Sequence, residues 1–186
     1  MEDGGSGYDT TARVLHWLVA VLVLLMAAAG LTMIREGIGR GLQDLLYIFH
    51  KNVGTALIVI VALRLFWRLT HGAPPLPVSV PPWQRLAARL SHWALYGLLI
   101  IMPLSGYVRV RAGGFPVEAL DALGLPTLVP RSRSLAEAAS SVHAVAATTL
   151  IAVVALHVAA ALHHALIRRD GVWQRMWPPR ATRRRR

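Results

Sequence analysis

Cysteine is absent from the 186 residues. That removes disulfides, thiolate-bound zinc, iron–sulfur clusters and thiol nucleophiles together, and it excludes haem attached covalently through C-x-x-C-H. Acidic side chains are few, nine Asp and Glu against 20 Lys and Arg. Charge is sparse overall: 16% of residues are charged, where a soluble domain carries about 25%. In place of charge the chain has apolar length. Hydrophobic residues make up 55% and mean hydropathy is +0.48, which points to lipid as the solvent.

The net charge of +11 does not gather into a nucleic-acid-binding patch. Basic residues punctuate the apolar runs and close the chain as Arg183, Arg184, Arg185 and Arg186. Spaced in this way they read as membrane topology and contact with anionic lipid headgroups, with no nucleic-acid partner. The first apolar run follows an acidic leader (Glu2, Asp3, Asp9) and lacks the basic flank and small-residue cleavage pattern of a removable signal peptide.

Four runs, about 14–34, 49–69, 91–110 and 142–167, are long enough to span hydrocarbon, which takes roughly 20 helical residues. Backbone groups in lipid must be satisfied within the segment, and no alternating ten-residue pattern suggests a barrel. The expected fold is therefore all-α, an integral membrane four-helix bundle forming a single domain over 1–186. Pro103 followed by Gly106 predicts a kink in the third helix. Residues 35–48 read as a polar loop, 70–90 as a proline-rich loop with an amphipathic lead-in from Trp83 to Arg89, and 111–141 as the longest connection, ending in a helical run-up. Residues 168–186 read as a basic C-terminal tail. With an even number of spans both termini share a side with the 70–90 loop. That side holds 13 of the 20 Lys and Arg and all six Trp, so it should be cytoplasmic.

Four histidines lie in or at the mouth of these apolar runs. An ionisable side chain in a bilayer segment is a functional-site hypothesis by default. His16 falls near the cytoplasmic start of the first helix and His50 at the periplasmic start of the second. On the fourth helix His143 is near the periplasmic entrance. His157 is 14 positions on, about 21 Å deeper and within about 40° of the same face. Depth pairs His50 with His143, and His157 with either His16 or His92. Paired imidazoles at two depths are what two six-coordinate haem irons need, and filled axial positions favour electron transfer over oxygen binding. A histidine-lined metal transporter is the competing functional reading, but Asp and Glu are missing from all four spans. His71, His163 and His164 read as interfacial polar residues. Alanines of the fourth helix suit close packing or a flat macrocycle equally.

The segments "ARVLHWLVA", "YIFHKNVGTALIVIVALRLFWRL", "LSHWALYGLLIIMPLSGYV" and "SVHAVAATTLIAVVALHVAAALHHALIRRDGVWQRMWP" resemble the prokaryotic cytochrome b561 family over roughly residues 8–180. L-H-W, H-x3-G followed by R-L-x-W-R, and L-H-x5-H-H all fall in the family's order. The resemblance implies a bundle in the bacterial inner membrane holding two haem b groups and exchanging electrons with ubiquinone or another quinone. By position, His16 and His157 would bind the cytoplasmic-side haem, and His50 and His143 the periplasmic-side haem. It further implies a small periplasmic donor such as superoxide, or a donor protein, and it admits a homodimer. A cytochrome b subunit of a larger dehydrogenase or hydrogenase is the alternative. His92, Tyr96 and Arg13 are candidate quinone contacts on the cytoplasmic side. Arg109 and Arg111, beside the periplasmic haem, are candidates to attract a small anion or to pair with haem propionates.

Overall fold

A computed structural model of the protein describes residues 7–177. It is all-helical, with no strand among the described residues: α1 Thr10–Met33, α2 Arg40–His71, α3 Pro82–Ala112, a short α4 Glu118–Ala122 and α5 Arg133–Leu162. Four of these are long and apolar enough to cross a membrane.

Local chemistry fixes the helix ends. The Asp9 carboxylate accepts from the Ala12 N–H (2.9 Å) and caps α1. Pro82 stands at the first turn of α3, where no N–H is required. Ser132 caps α5 by accepting from Leu135 N. α2 stops at Gly72, whose φ of +68° a glycine adopts without strain.

The helices outrun the apolar segments that predict them. α2 begins at Arg40 rather than 49, α3 at Pro82 rather than 91, and α5 at Arg133 rather than 142. Once a span is helical, each further residue adds a hydrogen bond at low cost, so helix continues into the polar interface. The 32 residues of α2 reach about 48 Å at 1.5 Å each, well beyond the hydrocarbon. Pro103 lies inside α3, which stays helical to Ala112. Beyond α5 the chain widens into a π-helical turn, His163–Arg168, then forms a tighter 3-10 turn, Trp173–Arg175.

The segment read as a basic tail folds back over its first part. Trp17 Nε1 donates to the Met176 carbonyl (3.0 Å), and the Trp17 ring meets Trp177 and Trp173 edge-on. Residues 178–186, with the remainder of that tail, lie outside the described residues.

Packing is uneven around the bundle. α1 packs on α2 through a core of Val19, Met26, Leu57 and Val61. α5 packs on α3, where Ala139 and Ala146 are buried and their small size lets backbones approach. α2 also touches α3. Among the described residues α5 makes no comparable contact with α1 or α2. The histidines project across that opening.

Candidate cofactor-binding sites

At the end of the bundle carrying the chain termini, His16 of α1 faces His157 of α5, with ring centroids 6.3 Å apart and planes at 60°. At the opposite end His50 of α2 faces His143 of α5, at 6.2 Å and 75°. α5 thus supplies one imidazole to each level.

These separations test what the pairs can hold. A metal–imidazole bond is about 2 Å. A five-membered ring with bonds of about 1.33 Å places each nitrogen about 1.1 Å from its centre. Two imidazoles on opposite sides of one metal therefore have centroids about 6.2 Å apart, with their planes free to rotate about the shared axis. Both pairs fit. His92 comes nearer to His157, at 5.5 Å, closer than a shared axial metal allows. Sequence reasoning left His16 and His92 open from depth alone, and both rings do reach the His157 level. Among the described residues no group of three or more His, Asp or Glu is arranged to hold a bare metal ion.

The outer nitrogens of the rings differ. His143 Nδ1 donates to the Met102 carbonyl (3.0 Å) and lies 3.3 Å from Ser105 Oγ. A carbonyl only accepts, so this ring carries its proton on Nδ1 and keeps Nε2 free for a metal. The buried Nδ1 of His50 makes no hydrogen bond of ordinary geometry, although the Met26 carbonyl interacts with the ring more loosely. At His16 the partner is a cation: Arg64 Nη2 lies 2.9 Å from Nδ1.

Two glycines shape the second level. A Cβ at Gly30 would stand 3.0 Å from His50 Cε1, and one at Gly106 would stand 3.0 Å from His143 Cε1. Sequence reasoning saw Gly106 only as a kink and did not single out Gly30, because the contacts lie between different helices.

The other candidates separate. Arg111 is buried and its guanidinium is engaged by Asp121 through two hydrogen bonds (2.5 and 3.2 Å), which occupies it in holding the loop. Arg109 is exposed and close enough to act electrostatically on both His50 and His143. Tyr96 interacts with Arg64 and packs on Trp93. His92 keeps more than a third of its surface open. Arg13 is half-buried, and its Nε makes no hydrogen bond. His164, read as interfacial, lies 2.7 Å from the buried carboxylate of Asp170. Nothing in the sequence pattern signals that pair, which depends on the π-helical turn.

A model of prokaryotic cytochrome b561 matches residues 7–179 of the chain. The chain belongs to the prokaryotic cytochrome b561 family. As a member it is a multi-pass membrane cytochrome of the bacterial inner membrane, and the family implies haem b as cofactor. Cytochrome b561 homolog 2 of Escherichia coli (strain K12) is 32% identical over 170 residues, covering 91% of this chain and 90% of the relative. The probable superoxide oxidase CybB of Yersinia pestis is 27% identical over 164 residues, 88% of this chain and 92% of the relative. Cytochrome b561 homolog 1 of Escherichia coli (strain K12) is 28% identical over 175 residues, 93% and 98% respectively. Similarity to these cytochromes thus runs through all four spans.

Proposed function

We propose that this cytochrome, acting as a single transmembrane domain, binds two haems and carries electrons from superoxide at the periplasmic face to quinone in the bilayer. The observation that carries the reading is the meeting of four histidines in two pairs, 6.3 and 6.2 Å between centroids. Haem b, when bound, supplies a one-electron iron couple. His16 and His157 would hold one group; His50 and His143 would hold the other. His16 is preferred to His92 because its ring distance to His157 suits a common metal.

Both termini are placed in the cytoplasm, on the strength of the 13 basic residues and six Trp at that end. The His50–His143 level then lies toward the periplasm. There the Met102 carbonyl orients His143, and the exposed Arg109 favours the approach of a small anion. The printed name of the Yersinia relative supports superoxide as that anion. Two superoxide ions yield two dioxygen molecules and two electrons; quinone takes those electrons with two protons to become quinol. His92, Tyr96 and Arg13, at the cytoplasmic end, are the proposed quinone contacts, and His92 is the most open of the three.

Quinone reduction in liposomes containing the protein, driven by a superoxide source, tests this. The rate should depend on the protein and fall on Arg109→Ala. Quinone reduction indifferent to the protein rejects superoxide as donor.

A further inference from the structure

We infer that Arg64 makes the two levels unequal: it fixes a positive charge against His16, setting that level at the higher reduction potential. The inference rests on the two-haem reading above.

Arg64 belongs to α2 but serves a ring on α1. One arm of its guanidinium reaches His16 Nδ1 (2.9 Å), and the other donates to the Ala12 carbonyl (3.3 Å), one turn earlier on α1. A guanidinium only donates and stays charged. A neutral ring with Nε2 on a metal carries its proton on Nδ1 and cannot accept there, so Arg64 acts on His16 through its charge, and the Ala12 carbonyl anchors the guanidinium. It also lies close enough to act electrostatically on His92 and His157. Held in this way between α1 and α2, the charge has little freedom to move away when the charge on a neighbouring metal changes.

The other level is built with the opposite sign. His143 gives its outer N–H to a carbonyl, which makes an imidazole a stronger donor to its metal and favours the oxidised state. His50 Nδ1 has only the looser approach of the Met26 carbonyl, and the cation that acts on this pair, Arg109, is exposed and therefore screened by water. A half-buried cation against a ligand favours the reduced state, because it attracts the added electron in a medium of low effective dielectric constant. The two levels are thus graded in one direction, from the His50–His143 pair up to the His16–His157 pair.

The test is a spectroelectrochemical titration of purified haem-loaded protein. Wild type should give two resolved one-electron steps. Arg64→Gln should shift the higher step at least tenfold toward the oxidised form, about 59 mV for a one-electron couple, and leave the lower step in place. Arg64→Lys, which keeps the charge but not the fork, should retain most of the higher potential. Unchanged steps in Arg64→Gln, equal movement of both, or loss of haem from both variants would overturn the inference. Fewer than two haems in the wild type would instead overturn the two-haem reading.

Discussion

Gly106 lies against the imidazole of His143 so closely that an added Cβ would stand 3.0 Å from Cε1 and 3.2 Å from Nδ1. Gly30 stands in the same relation to His50, at 3.0 and 3.5 Å. One level of the bundle is thus flanked on two sides by backbone that cannot carry a side chain without moving a ring. Gly106→Ala or Gly30→Ala should displace its histidine by a few tenths of an ångström. A misplaced axial ligand weakens one site and spares the other. The haem-to-protein ratio should fall from two toward one in each variant, measured as pyridine haemochrome. Gly41→Ala, with open space around it, is the control and should keep both haems.

The loop after α3 is held to α2 by a compact set of polar contacts. Lys51 Nζ donates to the Pro116 carbonyl (2.9 Å) and to Glu118. Asn52 donates to Glu118 Oε2 (2.7 Å) and accepts from Ala119 N (2.7 Å). Glu118→Ala leaves two half-buried donors short of a partner. Its side chain is 37% exposed, so the cost is that of a screened pair, about 1 kcal/mol. A lower melting temperature and faster proteolysis within 113–132 should report it.

Three carboxylates outside the spans make stability depend on acid. Burial raises the Glu118 carboxyl, but hydrogen bonds from Lys51 and Asn52 outweigh it and hold the group below its usual range. Asp121 is lowered chiefly by its hydrogen bonds from Arg111. Burial raises Asp170, and its contacts with His164 and Val172 N more than reverse that. All three are lower in the fold than in the unfolded chain, where carboxylates titrate near about 4. Their stabilisation is therefore complete above that range and is lost as pH falls through the folded values. Melting temperature against pH should be level near neutrality and drop below about pH 4, with a shallower drop in Glu118→Gln.

How far the chain can be read without its fold shows in particular residues. Hydropathy alone finds the four spans, because lipid demands uninterrupted apolar helix. Hydropathy places their starts late, since Arg40, Pro82 and Arg133 begin helices in the polar interface; the amphipathic stretch Trp83 to Arg89 and the helical run-up before 142 mark the last two, while the 35–48 segment, read as a loop, hides the first. His16, His50, His143 and His157 stand out in sequence because an imidazole in an apolar run is costly. Their pairing follows from depth, since α5 carries two of them 21 Å apart along one face. What surrounds the rings is different. Arg64 looks like an ordinary charge near a helix end, and Gly30, Gly106 and Met102 like ordinary helix residues. Their roles come from contacts between helices separated by 20 to 48 positions, which no local pattern encodes. Arg111 shows the reverse: its place beside a candidate site suggests anion binding, and the fold gives it an Asp121 partner that the sequence does not signal.

The central claim is that four histidines hold two haems in two separable pairs. Haem quantification of the purified wild type and of single alanine substitutions at His16, His50, His92, His143 and His157 tests it most directly. The account expects two haems per chain in the wild type, one after loss of His16, His50, His143 or His157, and two after His92→Ala. One haem or none in the wild type, or a His92→Ala protein that loses a haem while His16→Ala keeps both, would contradict it.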